Sequence, residues 1–168
     1  MNFDSFLKTF DKIEPLSNFQ IIDICQKLEI KHFKGVFMRN ELPNNKISYN
    51  ECFILNLDDK DGNGTHWTCV FITDKIGLTK SVKNGVCYYF DSFGFPPPIE
   101  VNEYLRKFNR RYYNSFEIQK GNQVICGHFC IYMLIKLNRN IDFYEILDEL
   151  YKWQKSSKLF HLSRLPEQ

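Results

Sequence analysis

The sequence lacks a long hydrophobic run, a secretory signal and any alanine. Its longest apolar stretch, residues 124–135, is interrupted by Gly127 and His128, so it falls short of the roughly 18 apolar residues that a transmembrane helix needs. The first twelve residues contain neither the basic region nor the continuous apolar core of a signal peptide. These absences predict a soluble, non-secreted protein with no membrane partner.

An excess of charge of one sign is also missing. The chain has 22 Lys and Arg against 20 Asp and Glu, a formal net charge of +2. With 43% hydrophobic residues, it fits neither a disordered polyelectrolyte nor a dedicated nucleic-acid coat protein. Lys outnumbers Arg 16 to 6. Together with the absence of alanine, this bias indicates an A+T-rich source genome.

The six cysteines include no C-x-x-C pair, and no histidine lies at a spacing that would complete a zinc site. The sequence therefore predicts no metal site. Most of the cysteines lie within apolar stretches, where free cysteine behaves as a small buried hydrophobe. Core packing is the expectation for five of them: Cys25, Cys52, Cys69, Cys87 and Cys130.

No repeat, low-complexity tract or Gly/Ser linker divides the chain, so residues 1–168 are expected to form one domain. Apolar periodicity and turn residues predict helices at 17–29, 99–111, 126–137 and 142–153, and strands at 33–38, 51–57, 65–73, 86–91 and 116–119. The helix 126–137 is apolar nearly all round, which is typical of a helix at the centre of a fold. The order of the elements predicts an α+β fold with a mainly antiparallel central sheet flanked by helices.

Three reactive side chains lie where cysteine chemistry needs them. His66 begins a predicted core strand, Asp91 ends the neighbouring strand, and Cys126 begins the central helix. A helix N-terminus and an adjacent imidazolium lower a thiol pKa from about 8.5 to roughly 3.5–7.5. His66 would take the thiol proton, and Asp91 would orient the imidazole. Each residue alone is more often structural, but the three together predict a nucleophilic site.

An oxyanion donor would complete that site, and the sequence offers two glutamines for it. Gln119 lies at the end of the predicted strand 116–119, while Gln123 lies in the turn just before the helix, where it would face solvent or cap the helix. The better-anchored Gln119 is the expected donor. Gly127, next to the nucleophile, would leave room for the backbone of a substrate.

The motifs around these residues resemble those of the adenovirus-type, or adenain-like, cysteine maturation proteases, which are related to the SUMO-specific proteases. The resemblance lies in THW at 65–67, YFDSFG at 89–94, Gln119, and CGHFC at 126–130. Residues 16–43 also resemble the N-terminal segment of the versions found in virophages and Polinton-type elements. With the A+T-rich bias, a mavirus-like virophage is the favoured source.

The resemblance covers about residues 16–138 and implies a papain-like, adenain-like protease fold. It also implies Cys126 as nucleophile, His66 as base, Asp91 as orienting acid and Gln119 as oxyanion donor. Trp67 would flank the substrate cleft. The chain departs from the adenoviral pattern in its longer interval of 25 residues between His66 and Asp91, in having Asp instead of Glu, and in the competing Gln123.

The function expected from this resemblance is a viral cysteine endopeptidase that cleaves capsid and other virion precursors, in the virion and in the cytoplasm or nucleus of the infected host cell. A protease that removes SUMO- or ubiquitin-like modifiers needs the same catalytic parts and stays an alternative. No cofactor is required by the sequence, although adenoviral relatives use DNA, and an activating peptide is a second option.

A nucleic-acid-binding or interaction module is the non-enzymatic alternative. Its basic residues would be Arg106, Lys107, Arg110 and Arg111, followed by Tyr112 and Tyr113. Cations beside aromatic rings suit backbone contact and base stacking. The same segment would let DNA assist a protease, so it does not by itself separate the two functions.

Overall fold

The computed structural model describes residues 1–42, 50–76 and 80–156. Five strands form one sheet in the order β1-β2-β3-β4-β5. Their bounds are β1 Phe33–Met38, β2 Glu51–Asn56, β3 Trp67–Ile76, β4 Lys80–Phe90 and β5 Arg111–Tyr113. The three central strands are antiparallel, while β1 and β5 pair in parallel with their neighbours. The sheet is therefore mixed, with an antiparallel centre.

Five α-helices accompany the sheet in the described part of the chain. They are α1 Phe3–Leu7, α2 Asn18–Lys27, α3 Ile99–Tyr104, α4 Cys126–Asn138 and α5 Phe143–Ser156. The start of α2 follows from its sequence: Ser17 accepts the N–H of Gln20, and the Gln20 side chain accepts the N–H of Ser17. This reciprocal capping box satisfies two backbone donors at the helix end. None of the described helices is both long and apolar enough to cross a bilayer.

The sheet is covered on both faces, and α4 lies at the centre of the larger core. Phe129 on α4 is fully buried and stacks on Phe3 of α1, with 4.5 Å between ring centroids. Burial of one such side chain contributes about 1.5–3 kcal/mol. Val101, Leu105 and Phe108 pack on the other face. All six residues of β2 are buried, since both faces of this strand are covered.

Two predicted elements differ from the structure. The helix predicted at 99–111 ends at Tyr104, and the strand predicted at 116–119 does not form. The chain turns after α3, and the carbonyl of Arg110 accepts the N–H of Cys87. The edge of the sheet is therefore occupied by β5, because pairing with β4 outweighs the helical periodicity of this segment. The predicted strands 65–73 and 86–91 are both longer in the structure: β3 runs to Ile76 and β4 begins at Lys80, with residues 77–79 outside the described range.

The prediction for the cysteines is confirmed: Cys25, Cys52, Cys69, Cys87 and Cys130 are buried free thiols, and only Cys126 is partly exposed. The short helix α1 was not predicted from the sequence. Its N-cap is Asn2, which accepts the N–H of Ser5 at 2.8 Å.

The imidazole ring of His128, in α4, is fully buried away from water. Its ring packs against Phe10 at 4.6 Å between centroids, and neither ring nitrogen has a hydrogen-bond partner in the described part of the chain. Burial lowers the pKa of His128 to about 4, because a charged imidazolium is poorly solvated there. The unfolded chain, with a pKa near 6.5, binds a proton that the folded chain excludes.

We expect His128 to make the folded protein less stable as the pH falls. Between pH 6.5 and pH 4.5 the free energy of unfolding should fall by about 2 kcal/mol through His128 alone, since stability rises with pH wherever the unfolded state binds more protons. Denaturant titrations at the two pH values should show that the free energy of unfolding depends less steeply on pH in His128→Leu than in wild type. The exposed His32→Asn variant is the control and should keep the wild-type slope. Equal slopes for wild type and His128→Leu would contradict the prediction.

Candidate active site

The topology brings the three predicted residues to one end of the sheet. His66 immediately precedes β3 and Asp91 immediately follows β4. Because these strands are antiparallel neighbours, with Cys69 opposite Phe90, the start of one lies beside the end of the other. Cys126 is the first residue of α4, which packs across β3. Residues distant in sequence therefore meet at a single point.

His66 is held by Asp91 through a direct contact of 2.8 Å between Nε2 and Oδ1. Asp91 is fully buried and His66 nearly so. Burial by itself lowers the pKa of His66, but the hydrogen bonds with Asp91 and Cys126 outweigh it and raise that pKa to about 9. With Nε2 engaged by the carboxylate, Nδ1 is the ring nitrogen left for the thiol. The imidazole is thus charged near neutral pH.

The Cys126 thiol has the opposite shift. Burial raises its pKa, yet hydrogen bonding to His66 and to the backbone of Trp67 and Gly127 lowers it overall. The residue before it, Ile125, offers no side-chain cap, and the first turn of α4 contains no acidic residue. The positive end of the helix dipole is therefore left for the sulfur. This arrangement favours a thiolate–imidazolium pair.

Asp91 is positioned by residues that the sequence did not single out. The Oδ1 atom of Asp91 also accepts the N–H of Phe93 at 2.8 Å, and the Phe93 ring lies 4.6 Å from that of His66. The side chain of Asn114 accepts the Asp91 N–H at 3.1 Å and donates to its carbonyl at 2.5 Å. Asn114 is 23 residues away from Asp91 and carries no local signal of this contact.

The loop between Asp91 and α3 approaches another segment so closely that it requires glycine. Gly94 has a φ of +78°, and a Cβ at this position would lie 2.5 Å from the backbone of Phe116. The glycine of the YFDSFG motif therefore lets the chain carrying Asp91 pack directly against residues that precede Cys126.

Gln119 is buried beside this loop. Its Oε1 accepts the Ser92 hydroxyl at 2.8 Å, and its Nε2 donates to the carbonyl of Gln123 at 2.6 Å. The backbone N–H groups of Ile118 and Gln119 both donate to the carbonyl of Ser92 at 2.8 Å. The segment is thus anchored by a loop rather than by the predicted strand. The side chain of Gln123 instead accepts the N–H of Lys120 and stabilises the turn.

A cavity of about 540 Å³ opens beside the thiol, lined among others by Leu16, Met38, Asn56, Trp67 and Cys126. The indole N–H of Trp67 donates to the carbonyl of Leu16 at 2.8 Å, which fixes the ring at the cavity wall. Trp67 therefore lines this cavity, and its place beside a substrate cleft stays a prediction.

Gly127 lies against the same wall. A Cβ at this glycine would come within 3.3 Å of both Leu16 and Trp67. Its missing side chain therefore makes room for packing within the protein, and its contact with a substrate stays a prediction.

The predicted basic segment is divided between two elements. Arg106 follows α3 and pairs with Glu103 at 3.5 Å, whereas Arg111 lies in β5. Arg110, Arg111 and the rings of Tyr112 and Tyr113 are exposed to solvent. DNA contact by this segment stays a prediction.

The adenain-like cysteine-protease fold, which is the predicted fold class, has a buried helix that begins with cysteine and packs on an α+β sheet, and α4 and the sheet have this arrangement. Among solved structures the chain is similar to the selenomethionine form of the ASFV pS273R protease, with a TM-score of 0.56, 19% identity, and coverage of 93% of this chain and 70% of that one. A second crystal structure of the ASFV pS273R protease gives a TM-score of 0.53 and 17% identity at the same coverage. No family model matches the sequence, and no curated protein matches it. The chain therefore has the fold of a viral cysteine protease.

Proposed function

We propose that the chain is a viral cysteine endopeptidase that uses Cys126, His66 and Asp91 as its catalytic triad. The observation that carries the proposal is the continuous line of contacts from the buried Asp91 carboxylate through His66 to a thiol of lowered pKa at the wall of an open cavity. A structural histidine or cysteine would need neither the charge arrangement nor the cavity.

In the first half of the reaction the Cys126 thiolate attacks the carbonyl carbon of the scissile peptide bond. A carbon–sulfur bond forms, and the carbonyl oxygen becomes an oxyanion. This oxyanion is stabilised by backbone N–H groups in the first turn of α4 and by the side-chain Nε2 hydrogen of Gln119 that does not bond to Gln123. The carbon–nitrogen bond then breaks as imidazolium His66 gives its proton to the departing amine, which leaves a thioester on Cys126.

In the second half, water replaces the amine. Neutral His66 removes a proton from the water molecule, and the resulting hydroxyl attacks the thioester carbonyl. The carbon–sulfur bond breaks, a carboxylic acid is released, and Cys126 returns to the thiolate beside protonated His66. Asp91 keeps Nε2 engaged throughout, so Nδ1 faces the reacting atoms in both steps.

We further propose capsid and other virion precursors as substrates, cleaved in the particle and in the infected cell. The shared fold with a viral protease and the A+T-rich bias support this choice.

The test is incubation of the purified protein with the capsid protein and other particle precursors encoded alongside it, followed by intact-mass analysis. Wild type should yield two fragments whose masses sum to the precursor plus one water. Cys126→Ala, folded by circular dichroism, should yield none. Cleavage by the Cys126→Ala variant would overturn the triad.

Conjugates of SUMO- and ubiquitin-like proteins belong in the same experiment as competing substrates. Release of the modifier, with the precursors left intact, would assign the chain to the deconjugating proteases instead. A wild-type protein inactive on both classes would contradict an endopeptidase of either kind.

A further inference from the structure

The proposed oxyanion donor is useful only if its amide group points the right way, and the structure shows what orients it. A glutamine amide has an acceptor and a donor end of nearly equal size, so a half-turn about its last bond exchanges them. An oxyanion requires the N–H end. The neighbours of Gln119 therefore decide whether this side chain can serve.

The carbonyl oxygen of Gln123 can only accept a hydrogen bond, so the atom facing it must be the Gln119 nitrogen. This contact measures 2.6 Å. The amide oxygen then faces the Ser92 hydroxyl, which has to donate its proton across 2.8 Å. Two contacts of opposite polarity thus define one orientation. They leave one Nε2 hydrogen of Gln119 without a partner in either contact.

We propose that Ser92 is a positioning residue that holds Gln119 ready to receive the oxyanion. Ser92 is fully buried and immediately follows Asp91. Its carbonyl accepts the N–H groups of Ile118 and Gln119, so it binds both the backbone and the side chain of the donor segment. The short loop that contains Asp91 and Ser92 therefore fixes the positions of the orienting acid and the oxyanion donor relative to each other.

The hydroxyl is the part of Ser92 that performs this task. Ser92→Ala keeps the two backbone contacts but leaves the buried Gln119 oxygen without a donor. The amide is then oriented by the Gln123 carbonyl alone, and fewer molecules have the N–H group in place. Ser92→Cys retains a weaker donor at the same position, and its effect should lie between those of serine and alanine.

The experiment measures turnover of a fluorogenic coumarylamide peptide ending in Gly-Gly. We expect Ser92→Ala to lower kcat about tenfold, which is the scale expected for the loss of one hydrogen bond. KM should change little, because the ground-state carbonyl does not need the donor. Thr68→Val is the matched control: it removes another fully buried hydroxyl near the site and should leave kcat unchanged.

Two further readouts separate positioning from general damage. In a Gln119→Ala background the Ser92→Ala change should cost less than twofold, since no amide remains to be oriented. Alkylation of Cys126 by iodoacetamide, and its pH profile, should match wild type, because that reaction forms no oxyanion. An undiminished kcat for Ser92→Ala, an equal loss in both backgrounds, or slower alkylation would each overturn the inference.

This inference rests on the proposed function, and the two fail in different ways. If wild type releases no coumarin and cleaves no precursor, the proposed function is wrong and the role of Ser92 falls with it. If wild type is active and Gln119→Ala is impaired while Ser92→Ala is not, the protease stands and only the role of Ser92 is rejected.

Discussion

Replacing His66 with alanine should lower turnover by at least about four orders of magnitude, because this variant loses the residue proposed both as the base that forms the thiolate and as the acid that protonates the leaving amine. Alkylation of Cys126 near pH 6 should slow as well, since the hydrogen bond from His66 helps to lower the thiol pKa. Initial rates on the Gly-Gly coumarylamide and mass-mapped alkylation measure the two effects.

Asp91→Asn should be the milder variant. It keeps a hydrogen-bond acceptor for His66 but loses the charge that raises the imidazole pKa, so turnover should fall about ten- to a hundredfold. The direction of the pH effect follows from the same shift. Wild type should lose activity as pH rises through about 9, where His66 gives up its proton, and Asp91→Asn should lose it at lower pH.

Three outcomes would contradict this division of roles. Full activity in Asp91→Asn would mean that another group orients His66. An unmoved alkaline limb would mean that Asp91 does not set the charge of the imidazole. Alkylation of Cys52 or Cys87 ahead of Cys126 would reject the thiol assignment, because burial raises the pKa of both thiols.

Gln119→Ala is expected to lower turnover by roughly two to three orders of magnitude, the loss typical of one oxyanion donor. Gln123→Ala should cost less than about tenfold, since only its bond to the Lys120 N–H is removed. The carbonyl of Gln123 that accepts from Gln119 belongs to the backbone and survives the substitution. Parallel rate measurements at saturating substrate decide between the two glutamines.

The two variants serve as matched controls for each other, because the two glutamines lie four residues apart and both substitutions remove the same amide group. Thermal unfolding should show both folded at the assay temperature. If Gln123→Ala were the crippled variant, the oxyanion donor would have to be reassigned to it. Equal losses would indicate damage to the turn rather than removal of a donor.

Much of this architecture could be predicted from local sequence. Ser17 and Gln20 form a capping box within four residues, and the apolar run from Cys126 onward predicts a central helix without reference to the rest of the chain. His66, Asp91 and Cys126 could be chosen as candidate site residues because each lies at the end of an element whose type can be predicted from its own residues. Short-range hydrogen bonds and periodicity were sufficient for these features.

Tertiary structure alone decided the remainder. The sequence pattern predicts a helix at 99–111 and a strand at 116–119. The strand forms at Arg111–Tyr113 instead, because this segment pairs in parallel with β4. The contacts of Asn114 with Asp91 and of Ser92 with Gln119 span 23 and 27 residues. Single polar residues in loops carry no periodic signal, so only the folded chain, in which buried polar groups must find partners, reveals what they hold in place.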